Sequence, residues 1–233
     1  MSKEAIILAG GLGTRLQSVV SEVPKCLAPI ENKPFLFYQI DYLIKQRIEH
    51  FILAIGYKKE QVVDFIQHRF PSIKVSFSIE EELLGTGGAI KQALDFTTEK
   101  HCLVLNGDSY FPIDLVHFYQ VHQSNNALCT IALKPMINFS RYGSVELKQH
   151  LVQRFNEKSV CRQGLINGGI YYIDTEKFKK IKFLQKFSFE NEFLSVFCQQ
   201  KLIYGEIYNN YFIDIGIPED YYTFSEKVKE GLI

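Results

Sequence analysis

Apolar runs and amphipathic stretches alternate along the first half of the chain. Three short apolar runs predict buried strands, and one segment with period-two alternation predicts a half-buried strand. Apolar residues at helical spacing predict helices over residues 34–44, 59–70 and 85–96. Strands that alternate with helices pair in parallel through right-handed crossovers, which favours an α/β fold. The predicted strands are residues 5–9, 51–56, 74–79 and 101–106.

The second half of the chain has a less regular pattern. It shows four strand-like and two helical segments but no linker, repeat or low-complexity stretch, and Asp114 and Asp220 are interpreted as acids at helix starts. We expect one domain over residues 1–233, with a parallel half over about 1–125 and a smaller, more antiparallel half over about 126–233. The strand-like segments are residues 127–133, 143–147, 151–155 and 165–173, and the helical ones are Phe189 to Cys198 and Ile217 to Val228.

The composition is that of a soluble enzyme. Hydrophobic residues make up 46% of the 233 residues and charged residues 22%, while the formal net charge is +0. This balance gives no sign of a nucleic-acid or membrane partner, and the chain has neither an apolar run of about 18 residues nor a signal-peptide pattern. The five cysteines are widely spaced without a CxxC motif, and the six histidines lack metal-ligand spacing. We expect free thiols, histidines that are structural or solvated, and a cytoplasmic location.

A glycine-rich loop follows the first predicted strand. Gly10, Gly11 and Gly13 allow backbone N–H groups to crowd around an anion, and Arg15 and Lys25 add positive charge. The loop is therefore interpreted as a phosphate site, with a tight strand-to-helix turn as the simpler alternative. Its spacing does not fit the GxGxxG dinucleotide fingerprint, and no GK[ST] follows as in a Walker A loop. A nicotinamide dehydrogenase is disfavoured for this reason.

Motifs along nearly the whole chain carry a resemblance to a known family. In content and order they resemble those of the sugar-1-phosphate nucleotidyltransferases, from residue 5 to about residue 222. The loop up to Lys25 is most similar to the branch that activates D-glycero-D-manno-heptose 1-phosphate with GTP. The resemblance implies a single Rossmann-like, glycosyltransferase-A-like α/β domain, with a mixed, mostly parallel central sheet and a smaller antiparallel sugar-binding part. The motifs are Leu8–Leu16 with Pro24-Lys25, Leu84–Ala89, Asn106–Asp108, Phe155–Lys158, Asn167–Gly169 and Asp214.

This resemblance implies transfer of a nucleoside monophosphate from GTP to the heptose 1-phosphate. A sugar-phosphate oxygen attacks the α-phosphorus in line and pyrophosphate leaves, so that positioning and charge neutralisation replace a protein nucleophile. Of the catalytic residues, Arg15 would hold the β- and γ-phosphates, and Lys25 would bridge the α-phosphate and the sugar phosphate. Asp108, the third, would bind Mg²⁺ together with Asp214. The alternatives are a solvated loop for the cations and Asx turns or helix caps for the carboxylates.

Glu80 is the candidate for base recognition. Relatives that use dTTP or UTP resemble this chain but have an amide side chain at this position. A carboxylate suits the adjacent donors N1 and N2 of guanine, which favours GTP, whereas a solvated acidic loop over Glu80-Glu81-Glu82 is the alternative. Gly85 would let the backbone approach the base. The nucleotide-binding residues implied by the resemblance are Leu8, Ala9, Gly10, Gly11, Gly13, Thr14, Arg15, Lys25, Glu80, Gly85, Thr86, Asn106 and Asp108.

The second half would supply the sugar site. This chain departs from many relatives at two positions, since it has Ser159 and Cys26 where they have Pro. Cys26 is interpreted either as a thiol of lowered pKa beside Lys25 or as a packing residue. A catalytically silent homologue would typically lose a catalytic cation or carboxylate, and all are intact. GTP with mannose 1-phosphate and UTP with another sugar 1-phosphate are the alternative substrate pairs, and an oligomer is neither implied nor excluded. The sugar-binding residues implied are Tyr142, Gly143, Glu157, Lys158, Asn167 and Gly168.

Overall fold

The computed structural model describes all residues from Met1 to Ile233. It contains one large sheet, two ribbons of two strands each, and helices, none of which combines the length and apolar character that crossing a membrane requires. The strands are β1 Glu4–Leu8, β2 Pro29–Ile30, β3 Lys33–Pro34, β4 His50–Ile55, β5 Lys74–Ile79, β6 His101–Asn106, β7 Ser109–Tyr110, β8 Cys129–Phe139, β9 Gly143–Lys148, β10 Leu151–Lys158, β11 Cys161–Asp174, β12 Ile203–Ile207 and β13 Ile213–Asp214. The α-helices are α1 Phe35–Lys45, α2 Lys59–Arg69, α3 Gly85–Ala93, α4 Leu115–Ser124, α5 Thr175–Lys179, α6 Ser195–Gln199 and α7 Pro218–Lys229.

A mixed sheet of nine strands extends through both halves of the chain, in the order β5-β4-β1-β6-β11-β8-β12-β10-β9. The strands of the first half, β5, β4, β1 and β6, are parallel to one another, as the alternating pattern predicts. β11 then pairs antiparallel with both β6 and β8, and farther out only β8 and β12 are parallel. The α/β class with a mixed central sheet is confirmed, and its parallel and antiparallel parts are continuous.

Helices cover both faces of the parallel strands, which explains their uninterrupted apolar sequences. Ile7 and Ile6 of β1 point to opposite faces and belong to two separate hydrophobic clusters. The face of Ile7 packs against α1, α2 and α4, through buried residues such as Leu36 and Phe118. The face of Ile6 packs against α3 and an aromatic segment around Phe193. Because both faces are buried, the strand ends are firmly placed and can position a site.

Some elements differ from the sequence-based expectation. The segment Phe189 to Cys198 is not one α-helix, because a π-helical turn over Phe189–Leu194 precedes the short α6. β8 and β11 are longer than predicted because they pair with each other as far as Cys161 and Phe139. For α4 the sequence predicts a start at Asp114 but no extent, because its inward stripe includes the buried polar residue His122, and it does not predict the short β12.

Asp114 begins α4 as a side-chain cap, which confirms its interpretation as an acid at a helix start. Its carboxylate accepts hydrogen bonds from the backbone N–H groups of Val116 and His117, at 2.9 and 3.0 Å. Such a cap satisfies amide donors that have no partner within the first helical turn. The carboxylate is thereby committed to the helix and does not contribute to a metal site.

The carboxyl ends of the parallel strands meet at one edge of the sheet, where α/β proteins of this type place their ligands. Backbone hydrogen bonds draw the following loops together, from Gly107 N–H to the Leu8 carbonyl at 3.0 Å and from Glu80 N–H to the Ile55 carbonyl at 2.8 Å. From the far end of the chain, β13 pairs with β7 and places Asp214 opposite Ser109. This edge therefore collects residues that are distant in sequence.

Candidate active site

The glycine loop after β1 is packed against the other predicted site residues. A Cβ on Gly10 would lie 2.6 Å from Glu80 Oε1, and one on Gly13 would lie 2.8 Å from Lys25 Cβ. Gly13 also has a φ of +61°, which favours glycine. Nothing lies within 4 Å of a Cβ on Gly11. Gly10 and Gly13 thus allow close approach to site side chains, whereas Gly11 borders open space.

The loop opens into a cavity of about 580 Å³ at the carboxyl edge of the sheet. This volume lies within the usual range for small-molecule sites, about 300–1,000 Å³. All of the predicted nucleotide-binding residues line it, and none of the six histidines does. Lining residues outside the predicted set are Cys26, Leu83, Ala89, Gly107, Lys186, Glu190 and Gly216.

Lys25 lies between two carboxylates, of which Asp108 lines the cavity and Asp214 lies behind Lys25, outside the lining. Its Nζ is 2.6 Å from Asp108 Oδ2 and 3.7 Å from Asp214 Oδ1, and only 12% of its side chain is exposed. Arg15 lies close to Lys25. A Cβ on Gly216 would be 3.0 Å from Lys25 Nζ and 3.3 Å from Arg15 Nη2, so both cations adjoin this glycine. The structure therefore brings the predicted catalytic cations and both predicted metal ligands into one small volume.

The β7–β13 ribbon holds the two carboxylates in place. Ile215 N–H donates to the Asp108 carbonyl at 2.9 Å, and Gly216 N–H donates to Asp214 Oδ1 at 2.7 Å. Burial and the negative charge of Asp108 raise the pKa of Asp214, although Lys25 opposes this rise. The site thus places two carboxylates close together, with Lys25 between them and Arg15 beside them.

The donor set fits a divalent metal ion of the hard type. Asp108 and Asp214 present carboxylate oxygens around one cationic position, now held by Lys25, and a second cation there would relieve their repulsion. No group of three or more His, Cys, Asp or Glu side chains in the chain has the geometry to enclose a metal. Two carboxylates without a full cage match the way Mg²⁺ is bound, since it takes further ligands from substrate phosphates and water.

Glu80 points inward, whereas its neighbour in the acidic run points outward. Glu80 Oε2 accepts a hydrogen bond from Leu84 N–H at 3.1 Å, and burial raises the pKa of this carboxyl. Glu81 is exposed and pairs with Lys59 at 3.1 Å. The run Glu80-Glu81-Glu82 is therefore not a uniformly solvated loop, and its first carboxylate faces the cavity.

Glycines in the first turn of α3 make room for a segment from the second half of the chain. A Cβ on Gly85 would lie 2.6 Å from the Phe187 carbonyl oxygen, and one on Gly87 would lie 2.2 Å from the Phe187 ring. A Cβ on Gly88 would lie 2.4 Å from the Gln185 carbonyl oxygen. The space that the glycines leave is thus filled by protein. Gly85 lines the cavity, but the space that its lack of a side chain leaves is occupied by the Phe187 backbone.

This second-half segment supplies Lys186 and Glu190, two charged cavity residues that no sequence motif indicates. Phe187 N–H donates to the Leu84 carbonyl at 3.0 Å, and Gly87 N–H donates back to the Phe187 carbonyl at 3.0 Å. The segment is therefore fixed to the start of α3. The glycine run signals a close approach at α3, but a sequence pattern does not say which segment approaches.

Predicted sugar-binding residues lie on the antiparallel part of the sheet, outside the cavity lining. Gly143 pairs with Lys158 across β9 and β10, and a Cβ on Gly143 would lie 2.4 Å from the Asn156 carbonyl oxygen. Glu157 and Lys158 are exposed and form no ion pair within the chain. The structure brings Gly143, Glu157 and Lys158 together at one end of the β9–β10 pair.

Asn167 and Gly168 are engaged within the protein. Asn167 Nδ2 donates to the Tyr171 hydroxyl at 2.8 Å, and its Oδ1 accepts from Gly169 N–H at 3.0 Å. A Cβ on Gly168 would lie 2.5 Å from the ring of Phe111. The Asn167 amide is therefore occupied by internal partners in this structure.

Tyr142 lies directly before β9, near the carboxylate of Asp214. Burial is the main cause that raises the pKa of Tyr142 to about 12, and the negative charge of Asp214 adds to it. The preceding residue, Arg141, forms an ion pair with Asp220. Asp220 lies in the first turn of α7, as interpreted, and also anchors the loop before β9.

Cys26 lines the cavity but is otherwise a packing residue. Burial raises the pKa of its thiol to about 12, although the charge of Lys25 acts in the opposite direction. The thiolate is therefore disfavoured near neutral pH, and the interpretation as an activated thiol is not supported.

Known proteins share this sequence and fold over nearly their full length. The sequence profile described as "Nucleotidyl transferase" matches residues 4–231. A D-glycero-alpha-D-manno-heptose 1-phosphate guanylyltransferase from Aneurinibacillus thermoaerophilus is 50% identical, over 94% of this chain and 95% of that protein. The protein of the same name from Campylobacter jejuni is 47% identical, over 95% and 98% of the two chains.

Solved structures agree with this comparison. The crystal structure of HddC from Yersinia pseudotuberculosis complexed with GMP-PN has a TM-score of 0.86 and 37% identity, over 97% of this chain and 99% of that one. The likeness covers both the parallel and the antiparallel parts of the sheet described above.

Proposed function

We propose that this chain, which belongs to the nucleotidyl transferase family, transfers the guanylyl group of GTP to D-glycero-α-D-manno-heptose 1-phosphate and releases pyrophosphate. The observation that carries the reaction is the placement of Lys25 between Asp108 and Asp214 beside Arg15. The choice of substrates is supported by the two relatives named D-glycero-alpha-D-manno-heptose 1-phosphate guanylyltransferase, which are 50% and 47% identical to this chain. The product, a GDP-heptose, would be a precursor for surface glycans such as a capsule.

Positive charge and backbone donors would carry the reaction. In the proposed complex, N–H groups around Gly10, Gly11 and Gly13 bind the triphosphate, and Arg15 holds the β- and γ-phosphates of the leaving pyrophosphate. Lys25 contacts both the α-phosphate and the sugar phosphate, which reduces their repulsion as the sugar-phosphate oxygen attacks. Because the attack is direct, the neutral thiol of Cys26 has no chemical role.

Asp108 and Asp214 would hold Mg²⁺, which supplies Lewis-acid stabilisation of negative charge on the phosphates. Their side chains already share one cation in Lys25, and both belong to the β7–β13 region. The exposure of Asp108, 34% of its side chain, leaves a path for solvent and ligand to this carboxylate.

Glu80 would recognise the base, with Gly85, Thr86 and Asn106 lining the same cavity. Its Oε2 accepts one hydrogen bond, from Leu84 N–H, and its Oε1 lies beside the Gly10 loop. Because each carboxylate oxygen has about two acceptor sites, the two oxygens together would accept N1–H and N2–H of guanine. We propose in addition that residues 1–125 bind the nucleotide and that residues 126–233 form the sugar side. There, Tyr142, Gly143, Glu157 and Lys158 would border the sugar, while Asn167 and Gly168 support the wall through internal contacts.

A pyrophosphate-release screen tests this proposal directly. Purified protein is combined with GTP, UTP, dTTP, CTP or ATP and with heptose, mannose or glucose 1-phosphate, with Mg²⁺ or with a chelator. We expect the highest kcat/KM for GTP with the heptose 1-phosphate and no turnover with the chelator. A higher kcat/KM for another pair would contradict the substrates, and full activity in the chelator would contradict the metal.

A further inference from the structure

Glu190 is a half-buried carboxylate in the cavity wall whose bonding is incomplete. Its Oε2 accepts hydrogen bonds from the Thr86 hydroxyl at 2.7 Å and from the Ser188 hydroxyl at 3.2 Å. Its Oε1 has no hydrogen-bond partner within the chain, and Glu190 is one of the residues that line the cavity. An ionised carboxylate has about four acceptor sites, so this oxygen can receive donors from a ligand.

The local structure holds this side chain firmly. The Thr86 hydroxyl that donates to Glu190 also accepts from Phe189 N–H at 2.9 Å, so helix α3 and the segment before α6 are joined at this point. Glu190 also lies in the π-helical turn, an irregularity that often occurs at functional sites. The carboxylate is therefore positioned in advance rather than free to rotate.

Glu190 and Glu80 serve different sides of the cavity. Glu80 contacts the loops that follow β1 and β4, where a Cβ on Gly10 or Gly56 would meet it. Glu190 adjoins Phe189, whose ring packs against that of Tyr171 in β11 at 5.0 Å between centroids. Burial and, next, the charge of Glu190 raise the pKa of Tyr171, in keeping with this ring contact. Glu190 therefore lies on the side of the cavity that adjoins the antiparallel part of the sheet, which begins with β11.

Among the predicted sugar-binding residues only Glu157 is a carboxylate, and it lies outside the cavity lining. Asn167 in β11 has its amide committed to Tyr171 and Gly169. A sugar presents several hydroxyl donors, and hydrogen bonds from hydroxyls to a carboxylate are among the stronger ones. We propose that Glu190 is a specificity-determining residue for the acceptor, and that its Oε1 accepts a hydrogen bond from a hydroxyl of the sugar 1-phosphate. This rests on the proposed function, because it concerns the second substrate of the same site.

Steady-state kinetics of Glu190→Gln test the inference, with Glu192→Gln as the matched control. Glu192 belongs to the same turn and accepts from Ser188 N–H, but it does not line the cavity. We expect Glu190→Gln to raise the KM for the sugar 1-phosphate about tenfold or more, because the charge-assisted bond is lost. The KM for GTP should stay within about twofold of wild type, and Glu192→Gln should match wild type in both.

Three results would overturn the inference. A rise in the KM for GTP as large as that for the sugar would place Glu190 at the nucleotide, and an unchanged sugar KM would remove it from recognition. An equal effect of Glu192→Gln would make the loss structural. Calorimetric titration of Glu190→Gln with GTP alone checks that the cavity is folded. If wild type uses another sugar 1-phosphate, the proposed function fails, while the same comparison made with that sugar still tests Glu190.

Discussion

Replacement of Lys25 by Met removes the ammonium that lies between Asp108 and Asp214 and keeps a side chain of similar length. In the wild-type protein this ammonium is 2.6 Å from one carboxylate and 3.7 Å from the other, with 12% of the side chain exposed. The change therefore affects two quantities at once, the free energy of unfolding and the turnover number.

The two magnitudes follow from the geometry. Removal of one partner from a buried ion pair costs about 3–5 kcal/mol of stability, and the 34% exposure of Asp108 reduces this to roughly 2–3 kcal/mol. If Lys25 stabilises charge that develops at the α-phosphate, its loss should cost about 2.7–4 kcal/mol of transition-state stabilisation, as for an oxyanion donor. That corresponds to a fall in kcat of about 10²- to 10³-fold.

Pyrophosphate release measures kcat, and urea unfolding measures stability and shows that the variant is folded. Lys45→Met is the control, because Lys45 Nζ lies 2.7 Å from Asp41 Oδ2 but 73% of its side chain is exposed. That surface pair should contribute under about 1 kcal/mol, and its loss should leave kcat unchanged. Turnover near the wild-type value in folded Lys25→Met would refute the role given to Lys25, as would an equal loss in Lys45→Met.

Three further predictions concern neighbouring residues. Because burial and Asp108 raise the pKa of Asp214 above 3.8, the native state binds this proton more tightly than the unfolded state, and stability should fall as the pH rises from 3.8 through the raised pKa. Asp214→Asn should flatten this part of the curve in urea unfolding at a series of pH values, and an unchanged slope would count against the assigned shift. Glu80→Gln should lower kcat/KM for GTP relative to UTP and dTTP by about tenfold, and an unaltered preference in a competition assay would remove Glu80 from base recognition. Gly10→Ala should weaken GTP binding in calorimetry, because its Cβ would lie 2.6 Å from Glu80 Oε1 and 3.3 Å from the Gly56 backbone nitrogen and would displace the Glu80 carboxylate from its place in the cavity; an unchanged affinity for GTP would contradict this account.

Elements with a strong local pattern could be predicted from the sequence. The strands over residues 74–79 and 101–106 agree with β5 and β6 at both ends, and the predicted start of the helix at residue 59 agrees with α2. Gly107 follows β6 directly and Gly56 lies shortly before α2, so local chemistry contributes to these ends. The extra length of β8 and β11 depends on their mutual pairing across many residues, which a local pattern does not report.

The sequence by itself predicted one group of cavity residues. The glycines, Arg15 and Lys25 lie within residues 10–25, so their suitability for phosphate can be inferred along the chain, and all the predicted nucleotide-binding residues line one cavity. Only the tertiary structure decided which side chains face the ligand from the second half. Lys186 and Glu190 reach the cavity because the α3 glycines admit Phe187, whereas the Asn167 amide turns to Tyr171 instead. The physical reason is that side-chain direction depends on packing between distant segments, and neither spacing nor composition records it.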